Sequence, residues 1–303
     1  MLHLFIVNPQ AGRRKYARFR QTLDGLSWKY QIQFTRYPGH AREIAAEAIA
    51  AGQPIRIYAC GGDGTLNEVV RAAAGQDHVA VTNVPLGTGN DFLKIFGPEN
   101  RLRFQDLDAL RKGPQTPFDL IDCNGRLGIG VACVGVDARI GVDAAAYKRL
   151  PLVKGIGAYI VSLVVNLLCK GINQPTVVDM GDWHFEGETA LICVCNGRYY
   201  GGGFMPVGEA MPDDGVLDIL VVPKISRLTF LRMVGKYARG RYRECGGLVR
   251  AYHGTEISFS SPAELVGVID GEEYRATRFR IRLSEHRVNF FYPADLSYGG
   301  CRN

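Results

Sequence analysis

The densest chemistry in the chain lies in Cys60-Gly61-Gly62-Asp63-Gly64-Thr65-Leu66-Asn67-Glu68-Val69-Val70, where an apolar run meets three glycines within four positions and then a helix-forming segment. Glycine lets the backbone turn sharply and approach a ligand closely. The helix start that follows presents unpaired N–H groups and the positive end of its dipole, which favours phosphate. Asp63 in such a loop opposes phosphate alone and makes sense if Mg²⁺ bridges the carboxylate to phosphate oxygens. The plainer alternative is an ordinary strand-to-helix turn capped by Thr65.

A second loop, Pro85-Leu86-Gly87-Thr88-Gly89-Asn90-Asp91-Phe92, repeats the order of strand end, glycine turn, hydroxyl and aspartate. A third, Asn8-Pro9-Gln10-Ala11-Gly12, ends the first apolar run and is followed by Arg13, Arg14 and Lys15, placed to meet phosphate or simply to solvate a helix face. Parallel strands deliver their C-terminal loops to one edge of a sheet, so the three loops are expected to share one crevice. The spacing is not that of a P-loop, which needs Gly-x-x-x-x-Gly-Lys-Ser/Thr. Nor is there the protein-kinase set of strand lysine, catalytic-loop Asp and Asp-Phe-Gly.

In the second half, Val268-Ile269-Asp270-Gly271-Glu272-Glu273 ends an apolar run in an acidic turn. Phosphoryl transfer to a hydroxyl needs a carboxylate within hydrogen-bond reach of the attacking O–H, and Asp270 and Glu272 have that chemistry. An Asp-Gly hairpin turn with solvated acids is the bland alternative. The run Tyr199-Tyr200-Gly201-Gly202-Gly203-Phe204 has the texture of a loop lining a site. Trp183 either borders a lipid groove or packs in a core. Arg239, Arg241, Arg243 and Arg250 suit anionic headgroups or a solvated face.

These loops need strands to end on and helices to begin. Leu2–Val7, Tyr30–Thr35, Ile55–Cys60 and His78–Val84 read as strands, alternating with helices over Ala41–Ala51 and Leu66–Ala74. That alternation predicts an α/β domain with a parallel sheet covered by helices. A further helix is expected near Asp106–Lys112, and a boundary near residue 123. Beyond it, strand-like runs recur at Gly128–Val136, Glu188–Cys195, Val216–Val222, Glu256–Phe259, Leu265–Ile269, Phe279–Leu283 and Val288–Tyr292. Helices are expected only over about Asp143–Cys169 and Leu228–Ala238, which predicts a β-rich antiparallel sandwich or barrel. The expected division is 1–123, 124–292, and a terminal segment 293–303 that packs back on the first unit.

A length of 303 residues fits two domains, and 47% hydrophobic with 22% charged residues excludes disordered, collagenous and small disulfide-scaffold classes. The 8 cysteines show no metal-ligand spacing, and Cys193 and Cys195 would face the same way on a strand. Buried thiols in a reducing cytosol are the expectation. The opening MLHLFIVNPQ does not read as a secretory signal, and Gly155–Cys169 reads as a buried helix rather than a membrane span. The net charge of +6 suits an anionic partner, a nucleotide or an acidic membrane surface.

Taken in order, VNPQAG, GGDGTLNEVV, PLGTGNDF and the later DGE resemble the diacylglycerol kinase catalytic-domain family, and within it the bacterial soluble lipid kinases related to sphingosine and ceramide kinases. The resemblance implies an N-terminal α/β domain that holds ATP and a C-terminal β-rich domain that shapes a lipid site. It implies ATP contacts at Asn8, Pro9, Gln10, Ala11, Gly12, Thr35, Gly61, Gly62, Asp63, Gly64, Thr65, Leu66, Asn67 and Thr88. It implies that Asp63, Asp91 and Asp119 organise the catalytic Mg²⁺, partly through water, and that Arg13 stands where the family often has a lysine near the phosphates. A second basic position aligns with Lys148, Arg149 or Lys154. The base is expected in the acidic turn, Glu272 first and Asp270 second. The segment around Met205–Asp218 resembles one that holds a second Mg²⁺ through the Asp214 carboxylate and the carbonyls of Met211 and Val216.

The function implied is an ATP- and Mg²⁺-dependent kinase of a membrane lipid, diacylglycerol first, acting in the cytoplasm at the inner membrane face. No nucleic-acid partner is expected, and a homodimer is a candidate assembly. Two alternatives are a kinase of a soluble metabolite such as NAD, and a nucleotide- or lipid-binding regulator without activity.

Overall fold

The computed structural model describes residues 1–11, 13–87, 89–147 and 156–299. In chain order the first part runs β1 (Leu2–Val7), α1 (Arg13–Asp24), β2 (Gln31–Phe34), α2 (His40–Ala50), β3 (Ile55–Gly61), α3 (Asp63–Ala73), β4 (Val79–Pro85), α4 (Leu107–Lys112) and β5 (Gln115–Phe118), with 3₁₀ turns over Phe92–Phe96 and Pro98–Gln105. Then come β6 (Ile121–Cys123), β7 (Arg126–Gly128), β8 (Val131–Gly135), α5 (Val136–Tyr147), α6 (Ile156–Val165) with a π-turn over Asn166–Lys170, β9 (Gln174–Met180) and β10 (Trp183–Cys195). The chain closes with β11 (Leu217–Pro223), α7 (Arg227–Tyr237), β12 (Arg250–Gly254), β13 (Glu256–Ile269), β14 (Glu272–Leu283) and β15 (Val288–Phe291), a 3₁₀ segment at Tyr242–Leu248 preceding β12.

The first sheet has the order β2-β1-β3-β4-β15-β5 and is parallel from β2 through β15. Every residue of β3 and β4 is buried, as expected of central strands covered on both faces. Helix α2 buries Ala41, Ile44, Ala45 and Ile49, and α3 buries Leu66, Val69, Val70 and Ala73, each at helical spacing. The α/β reading of this half holds. One finding extends it: β15 inserts beside β4, so the chain re-enters the first sheet at Val288. The sequence pattern places this apolar run in the second unit, 124–292. Its all-apolar character suits a buried parallel position, and β5 pairs antiparallel to it.

The second sheet is antiparallel throughout, with nine strands. Strands β10 and β13 are long, and each changes neighbour along its length. Their first halves sandwich β9 and their second halves sandwich β8, with register shifts at Thr189/Leu191 and Ser260/Leu265. Bulges bend strands, and here they let one sheet fold over a core of Val178, Ile192, Val194, Leu217, Ile219, Phe259, Phe279 and Ile281. A separate cluster under α5, α6 and α7 holds Cys193, Cys195, Phe230, Met233 and Tyr237. The sandwich expectation therefore holds.

The single helix expected over Asp143–Cys169 is replaced by α5, which begins at Val136 directly after β8, and by α6. Gly135, at φ 116°, makes that abrupt strand-to-helix turn. Strands β5, β6, β7, β9 and β12 were not expected. They are short or polar, and β9 alternates buried and exposed residues around Pro175. Cys193 and Cys195 do face the same way, with Sγ atoms 3.6 Å apart as free thiols.

Candidate active site

The two glycine loops are locked together. Gly61, last residue of β3, accepts N–H bonds from Leu86 at 3.1 Å and Gly87 at 3.0 Å, and the Asn90 amide at 2.9 Å. Asn90 also donates to Asn83 at 3.0 Å, and Asn83 to Ala59 at 2.8 Å, so two buried amides stitch β3 to β4 where the loops leave the sheet. The third loop joins them. Asn8 donates its backbone N–H to Cys60 at 2.9 Å, its side chain approaches Thr65 Oγ1 at 3.4 Å, and its Oδ1 accepts from Gln10. Thr35, at the end of β2, donates its N–H to Val7 at 2.9 Å. Thus Asn8, Pro9, Gln10, Ala11, Thr35 and Gly61 through Asn67 gather at one edge, as parallel-strand geometry requires. Gly12, Thr88, Lys148, Arg149 and Lys154 lie outside the described residues, as does the expectation for the Arg13 side chain.

Asp63 is the first residue of α3, and its carboxylate accepts the Asp91 N–H at 2.5 Å. Burial and the like charge of Asp91 push its carboxyl up to about 6, against the N–H groups of Asp91 and Phe92. Asp91 in turn pairs with Lys94, and its other oxygen accepts the N–H of Gly202 at 2.6 Å. The Gly201-Gly202-Gly203 run of the second lobe therefore closes directly on Asp91 of the first. Its neighbour Tyr200 donates to Asp137 at 2.9 Å, and burial pushes the Asp137 carboxyl up to about 6 as well.

The acidic turn arrives from the opposite side. Asp270 and Gly271 both have positive φ, 46° and 86°, and join Ile269 to Glu272 as a two-residue hairpin. The Asp-Gly hairpin is present but its first acid is not solvated, because the turn folds the Asp270 carboxylate onto the N–H groups of Ile129, Gly130 and Val131 at 2.7, 3.0 and 2.9 Å. A Cβ on Gly130 would meet Asp270 Oδ1 at 2.6 Å, so that approach needs glycine. Burial raises the Asp270 carboxyl, against those three N–H groups and the Arg71 charge. Glu272 pairs with Arg71 of α3, Nη1 to Oε2 at 2.7 Å. Asn67, one turn earlier on α3, takes the amide orientation in which it accepts from Arg71 and donates to Asp270.

Asp119 makes its direct contacts elsewhere than on Asp63 and Asp91. Its buried carboxylate is held by Arg287 at 2.7 Å and the Gly215 N–H at 2.8 Å, and its own N–H bonds Pro212. Asp119 instead braces the turn that carries Met211, Asp214 and Val216, where Asp214 accepts the Val216 N–H at 3.0 Å. Among the described residues no group of three or more His, Cys, Asp or Glu side chains is gathered to hold a metal ion. Trp183 is partly buried against the second sheet's core and stacks on Phe185 with planes 3° apart, with Arg250 over both rings. Arg241 and Arg243 pair with Glu244 and Glu209. Glu68 caps α2 through the N–H groups of Gly39 and Ala41.

Reasoning from the sequence passed over Asn83, Asn90 and Arg71. Asn83 was legible as an amide inside an all-apolar strand. Arg71 lies four positions after Asn67 and so shares its helix face.

A parallel lobe whose strand-end loops crowd one edge, facing an acidic hairpin from an antiparallel lobe, defines a two-lobed phosphotransferase. Residues 3–123 match the diacylglycerol kinase catalytic domain, and residues 130–290 match the YegS C-terminal NAD kinase beta sandwich-like domain. The chain is 33% identical over 276 residues to a "Probable lipid kinase YegS-like" of Pseudomonas aeruginosa, covering 87% of this chain and 84% of that protein. Its similarity to the Pseudomonas putida protein of the same name is 33% over 281 residues, covering 88% and 86%. A crystal structure of a diacylglycerol kinase from Bacillus anthracis superposes with TM-score 0.69 at 21% identity, covering 96% of each chain. Two more chains from that organism reach 0.74 at 23% and 24% identity, covering 96% of this chain and 97% of theirs. These structural likenesses speak to fold. The chain belongs to the YegS-like branch of the diacylglycerol kinase catalytic-domain family, and is a kinase with an alcohol group as acceptor and ATP as donor.

Proposed function

We propose that this protein transfers the γ-phosphoryl group of ATP, with Mg²⁺, to the hydroxyl of a membrane lipid, diacylglycerol giving phosphatidic acid, and that it works in the cytoplasm at the inner membrane face. One observation carries the reading: the Asp270–Glu272 hairpin of the second lobe bonds to the same helix, α3, whose first turn is the glycine loop. A donor phosphate on the loops and an acceptor hydroxyl from the second lobe would then share one cleft.

In this reading the N–H groups of the loops around Asn8–Ala11 and Gly61–Gly64 bind the triphosphate. Glu272 takes the proton of the lipid hydroxyl as its oxygen bonds the γ-phosphorus and the bond to the β-phosphate oxygen breaks, releasing ADP. The donor set at Asp63 and Asp91 fits a hard divalent cation: both offer carboxylate oxygens, and burial with the like charge of Asp91 raises the Asp63 carboxyl, a cost that a bound cation would relieve. Bound there, Mg²⁺ would be held by those two aspartates and would neutralise charge on the phosphoryl oxygens. A second Mg²⁺ at Met211, Asp214 and Val216 would join two carbonyls and one carboxylate in the turn that Asp119 braces. Asp270, held by three N–H groups, serves to fix the hairpin.

Membrane contact is supported by exposed apolar side chains on α6 and its π-turn, Ile160, Val161, Val164 and Leu168, the last 65% exposed. Helix α7 adds exposed Leu228 and Leu231 interleaved with exposed Arg227 and Arg232, a mix suited to an anionic bilayer. The segment that follows α6 and the one that precedes α7 are tied by Asn173, which exchanges hydrogen bonds with Ile225. Among the described residues no helix is long and apolar enough to cross a membrane. The test is transfer from γ-labelled ATP to diacylglycerol, ceramide and sphingoid bases in mixed micelles, with NAD as a soluble acceptor. Labelled phosphatidic acid supports the reading, NADP alone would move the assignment to a metabolite kinase, and ATP binding without any product to a regulator.

A further inference from the structure

Arg71 uses its guanidinium on three partners. Nε donates to the Leu127 carbonyl of β7 at 2.8 Å, Nη1 to Glu272 Oε2 at 2.7 Å, and Nη2 to the Asn67 side-chain oxygen at 2.9 Å. Two of these partners belong to the second lobe and one to α3 itself. The group is well covered, 16% exposed against 36% for Glu272. A planar fork is the side chain suited to such fixed, divergent acceptors.

Geometry makes this more than a lobe contact. Asp63, Asn67 and Arg71 recur every four residues on α3, so they lie along one face. At 1.5 Å per residue, Arg71 stands about 12 Å along the axis from the phosphate-loop aspartate, on a rigid element. Arg71 grips one oxygen of Glu272, while Asn67 grips the Asp270 carboxylate of the same hairpin. Among the described residues no second donor lies within hydrogen-bond reach of Glu272, so Oε1 is left to receive a proton.

We infer that Arg71 is a positioning residue for phosphoryl transfer: it holds Glu272 at a fixed place relative to the glycine loop, with Oε2 engaged and Oε1 presented to the acceptor hydroxyl. The inference rests on Glu272 being the base. An error of about 1 Å in such a placement costs on the order of 10²-fold in rate without touching substrate binding.

The test is a cycle of Arg71→Ala, Glu272→Gln and the double variant, assayed with labelled ATP and diacylglycerol micelles, with thermal melts to check folding. Arg71→Ala is expected to lower kcat about 10- to 100-fold while the KM for ATP stays within about threefold. The double variant is expected to be no slower than Glu272→Gln, because a positioning residue has nothing left to position. Arg71→Lys, which keeps the charge but not the fork, is expected to lose about 5- to 20-fold in kcat, and decides the matter if Arg71→Ala does not fold. Wild-type kcat in Arg71→Ala or Arg71→Lys, or multiplying effects in the double variant, would overturn the inference while an inactive Glu272→Gln leaves the base standing. Wild-type kcat in Glu272→Gln would overturn the base and the inference together.

Discussion

Gly87 lies so close against Gly62 that a Cβ placed on it would sit 2.6 Å from the Gly62 Cα. The second glycine loop rests on the first, backbone on backbone, and no side chain fits between them. Gly87→Ala is therefore expected to push the loops apart, costing about 1–3 kcal/mol of stability and weakening ATP binding at least tenfold. Calorimetric titration with ATP and a thermal melt check both effects.

Glu272 and Asp270 separate by role. Glu272→Gln removes the proton acceptor and is expected to lower kcat by about 10²–10⁴ while the protein melts near the wild-type temperature. Asp270→Asn loses an acceptor oxygen to N–H groups that need it, at a cost of about 1–3 kcal/mol. Denaturant unfolding beside steady-state kinetics distinguishes the two.

Stability should depend on pH in a defined direction. Asp63 and Asp137 both carry carboxyls pushed up to about 6 by burial. A raised carboxyl binds its proton more tightly folded than unfolded, so the contribution is present in acid and is lost as pH rises from about 4 through 6. Asp63→Asn should flatten that slope, Asp137→Asn should remove a second part of it, and Mg²⁺ should stabilise the wild type at pH 8 more than at pH 5. Urea unfolding across pH 4–8 measures this.

The apolar stripe of α6 gives a further expectation. Changing Ile160, Val164 and Leu168 together to Asp should reduce co-flotation with anionic vesicles at least fivefold. Turnover of a short-chain, water-dispersed diacylglycerol should stay within about twofold. Flotation unchanged by the triple substitution would remove this face from the membrane contact.

Much of this site could be read from residue order alone. Glycine loops after apolar runs can only be strand ends, and parallel strands bring such ends together, so the crowding of Asn8, Gly61 and Gly87 followed from local pattern. The α/β and β-rich halves were legible for the same reason. What escaped were relationships made by long-range topology. Val288–Phe291 looks like any buried strand, and only the closed sheet shows that it lies beside β4. Asp119 is expected near the catalytic ion only through the family resemblance, and the contacts with Arg287 and Gly215 that hold its carboxylate come from long-range topology. Arg71 meets Glu272 across 201 positions of sequence, a separation at which no periodicity operates. Strand β9 stayed hidden because Pro175 and Asp179 dilute its alternation.

The most direct test of a shared cleft is a crystal structure with Mg²⁺ and a non-hydrolysable ATP analogue. The expected result is a triphosphate along Asn8–Ala11 and Gly61–Gly64, the ion on Asp63 and Asp91, and the γ-phosphate facing Glu272 across the gap between the lobes. A nucleotide bound elsewhere, or a γ-phosphate turned away from the Asp270–Glu272 hairpin, would contradict it.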